Sequence, residues 1–229
     1  MSPAFRPAAV VAAALVVGLT GSVGVQPAPA GAQVRLAAAK QIAAGAITRR
    51  VLALRELTTA AKAIVRLTDA DRNALTSQLQ DQVNGLTSLN AKIQGDADEA
   101  TVRADAQKIV TDYRVYVLTI PKARGIVVSD IELNAADRLT KLADRLQTTI
   151  DGSGKDTIKA KAALASMRAK VAAATSAVSA LPAGLLALQP AGYPANRTTL
   201  EQARISLRTG RANLADAAVL ARQVIADLK

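Results

Sequence analysis

The chain has no cysteine, no histidine and no tryptophan. Each absence excludes a class of chemistry. Without cysteine there is no disulfide framework, no thiolate nucleophile and no lipid-modified cysteine. Without histidine there is no imidazole base, and without both there are none of the usual zinc constellations. No phosphate-cradling glycine loop and no G-x-S-x-G nucleophile turn occurs either. Aromatics are nearly gone, with one phenylalanine and three tyrosines in 229 residues. No cofactor, metal or catalytic residue is therefore expected. Sequence-tolerant binding of single-stranded nucleic acid, which wants aromatic platforms beside basic grooves, is disfavoured.

The start of the chain carries a targeting pattern. Arg6 gives a positive start, Ala8 to Leu19 is an apolar run, and small residues with prolines follow. Residues 1–32 read as a secretory signal peptide, cut after Ala30 or Ala32. An uncleaved anchor fits less well. A spanning helix needs about 20 apolar residues, and Gly18, Gly21, Gly24 and Pro27 interrupt this run. No later stretch is expected to span a bilayer, so membrane contact is peripheral at most. The expected location is secreted, extracellular or attached to the cell envelope.

Loss of the leader removes Phe5 and Arg6. The mature region, 33–229, keeps Tyr113, Tyr116 and Tyr193 as its aromatics and a net charge one below the full chain's +11. A chain of roughly 200 residues can bury about 70% of its unfolded surface, so a core without disulfides is feasible. It must come from Leu, Ile, Val and Ala. Ala and Leu rank highest in helix propensity, and the composition argues for an all-α fold. The wealth of Ala and Arg also fits a GC-rich bacterial genome.

Apolar periodicity supplies the helices. Ile47, Val51, Leu54, Leu57, Ala61 and Ile64 predict a helix over 34–67. Thr68, with Asp71 three residues on, reads as an N-cap. The second helix then runs on Leu75, Leu79, Gln82, Leu86, Leu89 and Ile93, a strict four-three seam that suits coiled-coil-like packing. Gly95 to Asp98 ends it and caps a third, where Val102, Ala106, Ile109, Tyr113, Tyr116 and Ile120 keep the rhythm. Both tyrosines are thus expected in the core. The other reading makes them a small recognition patch with Arg114 and Lys122.

Pro121 lacks an N–H and costs about 3 kcal/mol inside a helix. The helix either ends near Thr119, with Pro121 opening a new one, or runs from about Asp98 to Asp151 with a kink. No loop residues surround the proline, so the kink is preferred. Ile131, Ala135, Leu139, Leu142, Leu146 and Ile150 carry the seam onward. A turn at 151–154 leads to a fifth segment reaching Leu181, and 182–197 reads as non-helical with Leu185, Leu186 and Leu188 packed down. Thr198-Thr199-Leu200-Glu201 reads as a capping box for the last helix. That helix should face inward through Leu207, Leu214, Ala218, Ala221, Ile225 and Leu228. The expected architecture is an elongated antiparallel bundle, all-α: two three-helix bundles sharing a long central helix, with sub-bundles 33–120 and 121–229. A single four-helix-type bundle folded back at Pro121 is the alternative.

Charge is uneven. Residues 34–67 carry seven basic side chains against Glu56 alone, whereas 68–120 has five basic and eight acidic. Complementary pairing between neighbouring helices is the simpler account, each exposed pair contributing well under ~1 kcal/mol. Attraction to an anionic surface is the other, with Arg55, Lys62 and Arg66 on one helical stripe. Carboxylates at Asp105 and Asp112, and at Asp137 and Asp144, read as solvated partners of nearby Lys and Arg. PAGYPANR, residues 190–197, holds the third tyrosine. It is either a structural loop with Tyr193 wedged between helices, or a binding edge that includes Asn196 and Arg197.

TDYRVYVLTIPK and PAGYPANR, with TDADR upstream, resemble an uncharacterised group of exported, Ala- and Arg-rich helical proteins of actinobacteria. The likeness covers most of the mature chain. It implies a helical fold and export, implies no activity, and carries over no site residue. The expected function is structural or interactive, at the cell envelope, with an anionic envelope polymer, lipid headgroup or protein as partner. The alternative is a binder of a small apolar or amphiphilic molecule between helices near Tyr113, Tyr116 and Tyr193.

Overall fold

The computed structural model describes residues 29–153 and 157–228. The expected leader lies outside them apart from residues 29–32, as does part of the turn at 151–154. The described residues are helical, with no strand among them. The α-helices are α1 (Pro29–Ala63), α2 (Asp69–Gly95), α3 (Glu99–Thr111), α4 (Ile120–Asp151), α5 (Ile158–Val178), α6 (Leu181–Leu186) and α7 (Asn196–Asp227). A π-helical turn, Val115–Thr119, leads into α4, and a 3-10 turn, Pro190–Gly192, precedes α7.

Two of the expected caps are present. The Thr68 hydroxyl accepts from the Asp71 N–H at 3.1 Å, and Asp98 accepts from the Thr101 N–H at 2.9 Å. Each satisfies a donor that the first helical turn leaves open. The expected capping box at Thr198 is not used. The 3-10 turn and Pro194 bring the chain into helix earlier, at Asn196, and Ala195 precedes it without a side-chain cap.

Aliphatic side chains fill two apolar clusters. The first joins α1, α2 and α3 with Val115, Ala123 and Ile126, and also takes in Leu185 and Ala203. Leu54, Leu75, Leu79, Leu86 and Ile93 are fully enclosed there. In α2 the inward position is Val83, and Gln82 stands beside it, exchanging hydrogen bonds with the buried Thr119 hydroxyl. The second cluster joins the later part of α4 with α5 and the later part of α7, around Leu146, Ile150, Leu164, Met167 and Val224.

The inward face of α7 differs from the expected one. Ala203, Gly210, Ala217, Ala221 and Val224 are buried, whereas Ile225 is exposed. Small residues let α7 lie close against α5, and this helix pair is the most extensive in the protein. The Lys170–Asp216 ion pair at 2.7 Å, and Gly210 against Val178, show that these two helices run in opposite directions.

The long helix expected from Asp98 to Asp151 is broken, though not at Pro121. The break lies at Asp112–Arg114, where Arg114 adopts φ 46°. A non-glycine residue there costs roughly 1–2 kcal/mol. Two contacts offset that cost. Tyr113 lies against Gly85 so closely that a Cβ on Gly85 would stand 2.6 Å from its hydroxyl. The Arg114 guanidinium sits 4.7 Å from the centre of the Tyr193 ring. From Val115 the chain is helical through Pro121. The Thr119 and Ile120 N–H groups reach back five residues, to the carbonyls of Arg114 and Val115. This wider turn gives the proline ring room, and Pro121 falls where the ladder changes register and one bond is already given up.

Residues 182–197 are also not the loop expected. Pro182 and Leu185 are buried within α6, and Leu186 and Leu188 pack on the first cluster as anticipated. By length and composition alone, an 18-residue window within Ile158–Leu186, of mean hydropathy 1.3, is apolar enough to cross a membrane, a stretch that was not singled out from the sequence. Much of that hydropathy comes from alanine, and Leu164, Met167, Val171 and Val178 are turned into the protein.

Gly85 tests this packing. Gly→Ala inside a helix ordinarily stabilises by about 1 kcal/mol. Gly85→Ala is expected to destabilise instead, by about 1–3 kcal/mol, because its methyl meets the Tyr113 ring. Urea unfolding checks the sign, and a stability gain would show that Tyr113 does not rest on α2.

Candidate binding cleft

A cleft of about 430 Å³ opens between α4 and α7. Its volume is within the ~300–1,000 Å³ usual for small-molecule sites. Val117, Pro121, Gly125 and Val128 form one wall, from the π turn and the first turns of α4. Leu200, Ala203 and Leu207 of α7 form the other, and Leu185 of α6 lies between them. Tyr193 and three arginines, Arg124, Arg197 and Arg204, complete it together with Glu201. Arg204 stands 3.5 Å from Glu201. Arg124 and Arg197 are exposed, and their side chains make no ion pair among the described residues.

Gly125 creates this geometry. A Cβ there would lie 2.6 Å from Leu185 Cδ1, so the bare position lets Leu185 seat directly on α4. Just below, Lys122 is buried and its ammonium donates to the carbonyls of Leu186 at 3.2 Å and Leu188 at 2.8 Å. Gln78 donates to the same Leu186 carbonyl at 3.1 Å. The lysine thus serves carbonyls at the end of α6 that have no helical partner. Burial lowers its pKa to about 8. Lys122 does not line the cleft, and its amine is committed to α6.

Further along α4, Ser129, Asp130 and Glu132 are also buried. Asp130 accepts from the Thr68 N–H at 2.8 Å, tying the start of α2 to α4. Burial raises its pKa, against the Thr68 hydrogen bond. Glu132, with 6% of its side chain exposed, has Arg211 Nε at 3.6 Å. That is too long for a hydrogen bond, and neither carboxylate oxygen accepts one. Burial pushes Glu132 above the usual carboxylate range, with Arg211 partly opposing.

The structure separates the residues singled out from the sequence. Tyr113 is half-buried against the first cluster, as expected. Tyr116 is not in the core. It is 44% exposed, with Arg50 over its ring at 5.1 Å, because the break at Arg114 turns it outward. The recognition patch of both tyrosines with Arg114 and Lys122 does not form, since Arg114 stacks on Tyr193 and Lys122 is buried. Of the three tyrosines, Tyr193 lines the cleft and Tyr113 and Tyr116 do not. Arg197 lines it too, while Asn196 turns back to donate to the Gln189 carbonyl at 2.6 Å. Arg55 and Lys62 are exposed on α1, but the helix ends at Ala63, which leaves Arg66 in the turn and off the stripe.

Asp137 and Asp144 pair with Lys141 and Arg168 on the surface, as read from the sequence. Asp105 is buried instead, between Lys92 and Lys108, and these cations hold its pKa low, Lys108 most strongly. No group of three Asp or Glu that could hold a metal occurs among the described residues. Sequence reading missed Arg124, Arg204 and Leu185 as lining and Lys122 as a clamp. The available signal was Gly125, a glycine inside a strong helical pattern, which often marks a close approach.

Comparison with protein-family models, with curated proteins and with solved structures gave no match.

Lys122 and Glu132 make opposite contributions to pH dependence. The folded Lys122 titrates near 8 and the unfolded one near 10.5. Between those values the unfolded chain holds more protons, so stability rises with pH. Lys122→Met is expected to abolish that rise, which is bounded at about 3 kcal/mol, in urea titrations compared at pH 7.5 and 10. Glu132 has its folded pKa raised, so stability falls as pH rises through its unfolded value of 4.5 toward the folded one. Glu132→Met is expected to stabilise the protein at pH 7 by about 1–3 kcal/mol. The gain should shrink at pH 4, and an equal gain at both pH values would count against the buried charge.

Proposed function

We propose that this is an exported interaction protein of the cell envelope, which works by binding and without catalysis. Basic side chains on α1 hold it to anionic wall polymers or lipid headgroups. One observation carries this reading. Every ion pair among the described residues lies beyond residue 67. The seven cations of 34–67 therefore lack the partners that the simpler account of charge requires. Lys40 and Arg50 reach backbone carbonyls, while the side chains of Arg35, Arg49, Arg55, Lys62 and Arg66 make no bond among the described residues. Unpaired charge of one sign along a helix attracts anionic surfaces over a Debye length.

Export belongs to the same proposal and is supported by the signal-peptide pattern of 1–32 and by the resemblance to exported actinobacterial helical proteins. So does the finer architecture of two three-helix bundles, near the expected division 33–120 and 121–229: the clusters of α1, α2 and α3 and of α4, α5 and α7 support it, with the expected shared helix divided at Asp112–Arg114. The second reading, ligand binding between helices, is favoured by the cleft at Tyr193.

Salt dependence decides the first reading. The Debye length falls from about 10 Å at 0.1 M salt to about 3 Å at 1 M. Protein bound to washed envelopes is expected to release across that range. Arg55→Gln with Lys62→Gln should release at lower salt. Retention unchanged from low to high salt would defeat the proposal.

A further inference from the structure

The α4–α7 cleft combines three features that α1 does not offer. It has a continuous apolar lining, cations at its edge, and an irregular backbone at one end. The wall from Val117 to Val128 spans eleven residue steps, or about 16 Å at the α-helical rise. Pro121, Val128 and Leu185 give it an aliphatic surface, and the one carboxylate of the lining, Glu201, stands beside Arg204. Arg204 is occupied by Glu201, but Arg124 and Arg197, one from each wall, are free of ion pairs among the described residues. The strained Arg114, the π turn and the Tyr193 stack meet where Tyr193 and Val117 enter the lining. π turns and sparsely populated backbone conformations concentrate at functional sites.

We propose that the cleft binds a single-chain anionic amphiphile, with its acyl chain along Pro121, Leu185 and Val128 and its acid headgroup on Arg124 and Arg197. Charge complementarity selects the headgroup, since both unpaired groups are guanidiniums, which suit bidentate contact with a carboxylate. The volume, near the lower end of the range for such sites, favours one chain over two.

The inference deepens the ligand-binding reading and does not involve α1. It is tested on the purified protein by calorimetric titration with dodecanoate and with a neutral amphiphile of the same chain length, both below their micellar concentrations. Dodecanoate is expected to bind saturably at one site. Arg124→Ala with Arg197→Ala should weaken it at least tenfold with the helical circular-dichroism signal unchanged. The chain has no tryptophan, so Val117→Trp places a lone reporter in the lining, and its emission should shift to the blue as dodecanoate binds. Equal affinity for the neutral amphiphile, or wild-type affinity in the double arginine variant, would overturn the anionic headgroup while leaving ligand binding intact. Absence of saturable binding by either compound, or binding at several sites, would overturn both.

Discussion

The close seat of Leu185 on Gly125 is the contact on which the middle of this structure depends. It brings α6 down onto α4, and a Cβ at position 125 would meet Leu185 Cδ1 at 2.6 Å and force that side chain to shift. Once α6 is there, its last carbonyls face a crowded interior and need donors. Lys122 and Gln78 supply them from α4 and α2. The same approach sets Leu185 between α4 and α7 and makes it part of the cleft surface. A helix of six residues would be marginal alone. Here its stability comes from tertiary burial of Pro182 and Leu185 and from the lysine at its end.

Much of the fold was legible because helical periodicity is a strong signal when Leu, Ile and Ala dominate. The inward face of α2 was read almost residue by residue, and the Thr68 and Asp98 caps were found from local chemistry. What failed was what depends on contacts distant in sequence. The helix breaks at Arg114 because of Gly85 and Tyr193, which lie far from it in the chain. Pro121 looked like the disruptive residue, yet a π turn accommodates it. The face of α7 shifted because close packing on α5 selects Ala and Gly over the larger residues that periodicity favours. The candidate site was half legible. Tyr193 and Arg197 were named, whereas Arg124, Arg204 and Leu185 join them only through the packing of three helices.

Charge is arranged by a similar division. Beyond α1, nine cations among the described residues are matched within a turn or across a helix pair, as for Lys141 with Asp137 and Lys170 with Asp216. Such exposed pairs add little to stability. Their effect is to neutralise the field locally, whereas no cation of α1 is in an ion pair among the described residues. The cleft adds Arg124 and Arg197, and Arg138, Arg145, Arg208 and Arg222 are further unpaired cations on α4 and α7. An electrostatic surface and an amphiphile site are thus compatible, since they use separate side chains on separate helices.

The buried polar groups of α4 complete this account. Ser129, Asp130 and Glu132 lie between Ile126, of the first cluster, and Ala136, the first α4 residue of the second, so apolar contact along the helix is interrupted there. Ser129 bonds to its own helix and Asp130 to the start of α2. Glu132 alone keeps a desolvated carboxylate with no hydrogen bond, against Gly210. Removing a charge from water without full compensation opposes folding. That cost falls at the junction and not within either cluster. The junction is therefore where the two clusters are least firmly coupled, and local opening is expected to divide the chain there before either apolar cluster yields.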